Sequence, residues 1–485
     1  VRPTLVWFRQ DLRLADHPAL SAACADSDAV VLVYVLDTGA GDRALGGASR
    51  WWLHGSLASL GDAVAARGSR LILRRGDPAQ VVTALADELN AERIFFSRSY
   101  DPRGRALGRA IHEAGTARGV HVKRFPGSLL AEPEHLRTGS GGAFKVFTPF
   151  WRALGRQFEA LPVAAPDALP PPPRLDGDAL DSWRLRPRSP NWAGGFEDMW
   201  EPGEMGAQAR LTEFLTEAAA EYDGARDRPD QEGTSRLSPH LRFGELSPRF
   251  VWHAARAAAA EQAGSGAGID SFLRELGWRE FCYHLLYHWP ELTTTPLRAQ
   301  FAEFPWREDP TALRAWQRGQ TGVPLVDAGM RQLWQTGWMH NRVRMVVASF
   351  LVKNLLLPWQ AGEAWFWDTL VDADLANNVA GWQWVAGCGA DAAPYFRVFN
   401  PVRQGEKFDP EGAYVKHWVP ELAALPPKYV HQPWALPPQL AAASGFQPGR
   451  DYPAPLVDLG ESRRRALAAY QGMREAAAPT SSAAT

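Results

Sequence analysis

Val30-Val-Leu-Val-Tyr-Val-Leu36 is an unbroken apolar run rich in β-branched residues, and a helical pattern over 49–67 separates it from a second run, Arg70-Leu-Ile-Leu-Arg74. Short apolar runs suit strands covered on both faces, and a helix joining two of them makes the strands parallel. Working outward, Thr4–Phe8, Arg93–Ser97 and His121–Phe125 repeat the strand pattern, while 79–89 and 103–118 repeat the helical one. The alternation predicts an α/β domain over 1–130, a doubly wound, Rossmann-like parallel sheet of five strands. Gly39-Ala-Gly41-Asp-Arg-Ala44 matches a G-x-G-x-x-A pattern, but it follows the second strand and Gly46-Gly47 separates it from the next helix. With Asp62 inside a helical stretch instead of at a strand end, the motif reads as a loop and not as a dinucleotide cradle.

From 131 to 203 the pattern is irregular. Eight prolines fall between Leu161 and Pro190, four of them consecutive at 170–173, so the segment reads as a long Pro-rich interdomain linker. Helical periodicity then predicts an all-helical domain over 204–475, and the small, polar stretch 476–485 is expected to be a disordered tail.

Composition excludes several classes. With 52 Lys+Arg against 54 Asp+Glu the net charge is −2, so a surface that grips nucleic acid has to segregate its cations. Hydrophobic residues at 46% and charged residues at 22% exclude a disordered or collagen-like chain. There is no uninterrupted apolar run of the roughly 18 residues a membrane span needs, and no leader pattern, so a cytoplasmic protein is expected. Cys24, Cys282 and Cys388 lie too far apart for a disulfide framework or a metal-ligand set, and no metal is expected. The outlier is tryptophan: 21 in all, nine of them between Trp306 and Trp384. Each buried indole needs a partner for its N–H, so a core alone does not call for so many.

The helical half carries the chemistry. In Gly233-Thr-Ser-Arg-Leu-Ser-Pro-His-Leu-Arg-Phe-Gly-Glu-Leu-Ser-Pro248, Ser238 and Ser247 each precede Pro and read as helix N-caps. The hydroxyls of Thr234, Ser235 and Ser238 at a helix start suit a pyrophosphate, or they do no more than cap helices. In Phe272-Leu-Arg-Glu-Leu-Gly-Trp-Arg-Glu-Phe281, Glu275, Trp278 and Arg279 share one helical face. They read either as an exposed Glu275–Arg279 ion pair, favoured from this stretch alone, or as an acid beside an indole lining a cavity for a flat ligand.

Trp338-Met-His-Asn-Arg-Val-Arg-Met345 opens a predicted helix that runs on through Lys353. Val343, Val346, Val347 and Phe350 fall on one side and Asn341, Arg344 and Met345 on the other. No acid occurs from Ala328 to Gly362, although Arg331, Arg342, Arg344 and Lys353 do, which suggests contact with anionic groups. Asp372, Asp374 and Asn378 follow an apolar helix and precede Trp382 and Trp384. Such carboxylates can serve acid–base work, a metal, or a ring N–H, and no third ligand at a suitable spacing supports the metal. Finally, Arg397, Arg403, Gln404 and Lys407 alternate with Phe396, Phe399 and Phe408, a mixture suited to engaging both phosphates and bases.

Together these segments resemble the photolyase/cryptochrome family, from about Trp7 to about Lys428. The resemblance is greatest to bacterial class III cyclobutane pyrimidine dimer photolyases, through Val326-Asp-Ala-Gly-Met330, Gly389-Ala-Asp-Ala392 and Gln404-Gly-Glu-Lys-Phe408. It implies an all-helical FAD-binding domain, with Thr234, Ser235, Arg236, Leu237 and Ser238 at the pyrophosphate and Tyr222 close by. Arg344 would pair with Asp372 beside the ring, Asp374 would bind its edge, and Asn378 would face the flavin N5. Trp382, Trp359 and Trp306 would form the tryptophan triad for electron transfer, with Trp338 and Trp384 as a possible branch. Glu275, Asn341 and Met345 would touch a flipped-out dimer, between walls formed by Trp278 and Trp384. Arg226, Arg342, Arg397, Arg403, Gln404 and Lys407 would hold the DNA backbone. The implied activity is blue-light-driven repair of DNA damage, in which excited reduced FAD lends the dimer an electron.

UV-damaged DNA is then the partner, and a monomer without an obligate protein partner is expected. Related enzymes bind an antenna folate through an Asn-Glu pair after the fourth strand, where this chain has Arg103-Gly104. The class III resemblance still implies 5,10-methenyltetrahydrofolate, at a different site. The alternative is a cryptochrome-type photoreceptor without repair activity. Against it stand Asn378, which is the repair-type residue, and the intact Glu275/Asn341/Met345 set.

Overall fold

The computed structural model describes residues 2–157, 161–262, 264–392 and 396–477. They form two compact units, one of 1–223, 234–290 and 371–376, the other of 224–233, 291–370 and 377–485. The first unit begins with the expected parallel sheet. Its strands are β1 (Thr4–Phe8), β2 (Val30–Asp37), β3 (Leu71–Gly76), β4 (Arg93–Ser97) and β5 (His121–Phe125), in the order β3-β2-β1-β4-β5. All four pairings are parallel, with Thr4 opposite both Val30 and Arg93. Helices α1 (Pro18–Asp26), α2 (Gly47–Ala65), α3 (Pro78–Glu88) and α4 (Pro102–Ala117) make the crossovers. The starts of α3 and α4 are encoded by Asp-Pro: the Asp77 and Asp101 carboxylates accept from the N–H of Gln80 (3.0 Å) and Gly104 (2.8 Å), and proline fills the first turn. Leu5, Trp7, Val31, Val33, Ile94 and Phe96 join Val82 and Leu85 of α3 and Ile111 of α4 in one buried cluster. Gly39–Ala44 contributes a single 3₁₀ turn between β2 and α2, so the loop reading of that glycine pattern holds.

The Pro-rich segment is not slack. Leu169 N–H donates to the Arg67 carbonyl (3.0 Å), Asp178 N–H donates to that of Leu73 (2.8 Å), and Leu175 is buried in the sheet's own core. The first unit continues with helices Glu204–Glu217, Ser238–Phe243, Pro248–Glu261 and Gly266–His288. The second holds, among others, Pro310–Gln317, Pro324–Thr336, Asn341–Ser349, Trp359–Thr369, Pro401–Phe408 and Leu459–Ala477. Asn341–Ser349 does not continue as an α-helix: Phe350–Asn354 is a π-helical turn. The last helix includes 476 and 477 of the expected tail, and 478–485 lie outside the described residues. No helix among the described residues is long and apolar enough to cross a membrane.

Candidate active site

In the first unit the decisive segment is Asp372-Ala-Asp374, held from three directions. Ser238 Oγ donates to Asp372 (2.6 Å), Arg242 Nε donates to the Ala373 carbonyl (2.5 Å), and the Tyr283 hydroxyl donates to Asp374. Both carboxylates are buried. Burial and Asp374 hold the Tyr283 hydroxyl well above its usual range, so it remains a proton donor.

This geometry corrects the reading of Ser238 as an N-cap. The cap position is Leu237, without a side-chain cap bond, because the carboxylate of Asp372 takes the serine hydroxyl. Ser247 is a cap as expected, accepting from Phe250 N–H at 2.9 Å. Other residues of the same motif are structural: buried Glu245 binds the Trp52 indole N–H (2.9 Å) and His240 Nδ1 (2.5 Å). Arg236 adopts a left-handed conformation (φ 51°) beside the half-buried Thr234 and Ser235, and Tyr222 is buried against Phe214 and Phe272. Hydroxyls and a guanidinium next to two anchored carboxylates are a donor set that fits a pyrophosphate joined to a ring bearing N–H groups. The residues therefore fit FAD.

Along Gly266–His288, Glu275 and Trp278 are half-buried. Trp278 stacks on Phe147 with centroids 3.8 Å apart and planes 6° from parallel. Arg279 is drawn inward, to Glu280 (2.9 Å) and the Ser128 carbonyl (3.0 Å), so the exposed surface pair it suggested in sequence is not its environment. Glu280 itself, which the sequence reading passed over, is buried; burial pushes its carboxyl up to about 7, against Arg279 and the Leu130 and Ala131 N–H groups.

The second unit holds Asn341, Met345, Arg344, Asn378 and the indoles. Val343, Val346, Val347 and Phe350 are fully buried while Asn341 is exposed and Arg344 and Met345 half-buried, as the periodicity predicts. Arg344 Nε donates to the Met339 carbonyl (2.7 Å). Asn378 Nδ2 donates to both the main-chain carbonyl and the carboxylate of Glu363, each at 3.0 Å, which fixes the orientation of its amide. Trp382 and Trp359 are buried and Trp306 is half-buried; Trp338 is buried, and Trp384 donates its indole N–H to the Asp391 carbonyl (3.1 Å).

The acid-free run 328–362 needs a correction. Arg331 pairs with Glu421 (2.9 Å), and Lys353 is fully buried, donating to the Ala386 carbonyl (3.0 Å). Burial drives Lys353 well below the usual lysine range. Neither serves an external anion, because partners distant in sequence or the core itself take them.

The other cations converge. Arg342, Arg397, Arg403, Gln404 and Lys407 line one cavity of about 770 Å³. The Pro401–Phe408 helix aims three of them, its start capped by Asn400 accepting from Arg403 N–H (3.2 Å). Arg226, assigned to the same role, is not among the lining residues. Asp227 and Arg463 are, and sequence reading missed both. Asp227 pairs with Arg342 (2.7 Å), while Arg463 was signalled only by the run Arg463-Arg464-Arg465. No cluster of metal-ligating side chains occurs among the described residues.

Comparison with known proteins gives a consistent answer. A family model described as the FAD binding domain of DNA photolyase matches residues 272–472, and one described as DNA photolyase matches 4–173. The chain is 48% identical to a deoxyribodipyrimidine photo-lyase of Agrobacterium fabrum, over 98% of each sequence. A solved bacterial class III photolyase from Agrobacterium tumefaciens superposes with a TM-score of 0.94 at 48% identity, covering 98% of both chains. A cryptochrome from Synechocystis superposes with a TM-score of 0.88 at 31% identity, covering 98% of this chain and 99% of the other.

Proposed function

The chain belongs to the photolyase/cryptochrome family, and from that premise we propose how its residues divide the work of a deoxyribodipyrimidine photo-lyase. The protein repairs cyclobutane pyrimidine dimers in DNA with light and binds FAD. Bound reduced FAD supplies the photoexcited electron, and the chain supplies placement, electrostatics and exclusion of water. In the first unit, Thr234, Ser235, Arg236, Leu237 and Ser238 hold the pyrophosphate, with Tyr222 beside them, and Asp372 and Asp374 bind the ring or ribityl edge. In the second, Arg344 and Asn378 complete the cofactor set. With its N–H₂ committed to Glu363, Asn378 has its carbonyl oxygen to accept a hydrogen bond from a protonated ring nitrogen. Trp306, half-buried, passes electrons inward through Trp359 to Trp382. Glu275, Asn341 and Met345 contact the flipped dimer, with Trp278 and Trp384 as walls.

The observation that carries the DNA reading is the cavity in the second unit where Arg342, Arg397, Arg403 and Lys407 converge although the whole chain is net acidic. Segregated cations of this kind are the electrostatic footprint of a phosphate backbone. Arg226 would add a contact outside that cavity. The protein acts as a cytoplasmic monomer on the nucleoid, and its antenna is 5,10-methenyltetrahydrofolate, bound away from the end of β4. What supports the latter is Arg103, whose guanidinium is committed to Asp37 at 2.6 and 2.7 Å. The test is to mix reduced holoprotein with UV-irradiated oligothymidine under near-UV or blue light. Light-dependent recovery of thymine absorbance is expected. Flavin photochemistry without recovery would select the photoreceptor instead.

A further inference from the structure

Outside these residues the first unit carries a second concentration of positive charge. From His135 to Phe158 the sequence contains no Asp or Glu but includes Arg137, Lys145, Arg152 and Arg156. Those four cations line a shallow cavity of about 460 Å³, and no acid lines it among the described residues. The arrangement follows from helical periodicity. Positions 145, 149, 152 and 156 fall on one side of the Phe147–Leu154 helix and its flanks, and all are exposed, whereas Phe147, Phe150, Ala153 and Leu154 on the other side are buried. Unlike Arg331 and Lys353, these cations face solvent. Val146 is the exposed large aliphatic residue beside these four cations, and a single such side chain suits a hydrated polyanion better than a membrane.

The same short helix supports a candidate lesion contact. Phe147, at its start, is the ring on which Trp278 stacks at 3.8 Å. A strand with a base against Trp278 has phosphates on both sides of that base, and the helix that carries Phe147 also carries Arg152, with Lys145 and Arg156 on its flanks. Behind it, burial, His288 and Arg137 push His284 down to about 3, so that ring stays neutral and accepts from Phe144 N–H (3.0 Å).

We propose that Arg137, Lys145, Arg152 and Arg156 form a phosphodiester-binding shelf for the duplex flanking the lesion, separate from the cavity around Arg403 and Lys407. The proposal rests on the DNA-repair reading above. Each phosphate neutralised adds about 0.9 to the slope of log K against log salt. The experiment measures that slope for the flavin-loaded protein on an irradiated duplex oligonucleotide. Arg152→Ala/Arg156→Ala is expected to lower the slope by about 1.8, leaving repair per photon of bound DNA unchanged. Arg152→Lys/Arg156→Lys, which keeps the charge, is expected to restore it. An unchanged slope in the alanine variant would overturn the proposal, as would a slope that lysine fails to restore, which marks a packing role. Loss of binding to phosphatidylserine vesicles with an unchanged DNA slope would overturn it in favour of a membrane surface. Failure of the unaltered protein to prefer irradiated over intact duplex would instead sink the repair reading itself.

Discussion

Two glycines near one tryptophan permit a differential test of how tightly the proposed electron path is built. Gly362 lies inside the Trp359–Thr369 helix, and a Cβ there would stand 2.1 Å from Trp382 Cη2, 2.5 Å from Cζ3 and 2.6 Å from Cζ2. The indole is a rigid plate, 3% exposed, boxed in by Phe366 (5.0 Å) and Trp316 (6.1 Å), so it has no flexible end to yield. Gly381, adjacent in sequence to that tryptophan, also lies inside a helix but has nothing within 4 Å of a Cβ. Replacing glycine by alanine within a helix gains roughly 0.5–1 kcal/mol, and that gain is common to both sites. Overpacking a rigid core costs about 1–3 kcal/mol and applies only at Gly362. The propensity gain cancels in the comparison. Gly381→Ala should therefore be more stable than Gly362→Ala by about 1–3 kcal/mol, at roughly 2–4 °C of Tm per kcal/mol for a unit of this size. Thermal unfolding of the two flavin-loaded variants measures the difference, and photoreduction should slow only in Gly362→Ala, where the indole must move. Equal stabilisation of both would refute the reasoning, because Trp382 would then have room to retreat and its position would not be fixed by Gly362.

Three further outcomes can be checked. Trp382→Phe should bind flavin yet photoreduce poorly under steady blue light with an external reductant, and normal photoreduction would remove Trp382 from the path. Glu275→Ala should lower dimers split per photon absorbed by bound enzyme; an unchanged yield would leave Glu275 no role at the lesion. Glu280→Gln addresses pH. The folded carboxyl titrates near 7 against an ordinary value of 4.5, so between those values the folded chain holds a proton that the unfolded chain has lost. Its contribution to stability is therefore full below about 4.5 and is lost as pH rises to 7. Glutamine cannot ionise, so the variant should gain on the parent across that window in denaturant titrations. A constant gap between pH 5 and 7.5 would show that Glu280 ionises normally.

What the sequence yielded and what it hid divide along a physical line. Three strands, β1, β4 and β5, have the bounds read from apolar runs alone, and the valine face of Asn341–Ser349 is buried as its period requires. These features are decided by neighbours a few residues away. Ser238 failed as a cap because its competitor, Asp372, lies 134 residues along the chain. Lys353 and Arg331 looked like ligands for anions because nothing local reveals a buried carbonyl at Ala386 or a carboxylate at Glu421. The convergence of Arg463 with Arg397 and Arg403 is equally non-local, so charge runs in sequence locate cations but not what neutralises them.

The tryptophan excess sharpens this distinction, because an indole reveals its purpose through its N–H. Trp52 and Trp316 are core residues with satisfied donors, Trp52 on Glu245 and Trp316 on the Val347 carbonyl at 3.0 Å. Trp382 Nε1 is buried without a partner among the described residues, a condition it shares with Trp7. An unmet buried donor costs about 1–3 kcal/mol, which phenylalanine would avoid at the cost of the space the larger ring fills. For Trp7 the Arg9 guanidinium, 4.5 Å from the ring centroid, supplies a reason to keep the electron-rich indole. Trp382 instead meets the rings of Trp316 and Phe366 edge-on and packs against Gly362. Packing favours the indole there, since it fills the space beside Gly362 that a phenyl ring would leave open, and its ease of oxidation is the property the proposed electron relay requires.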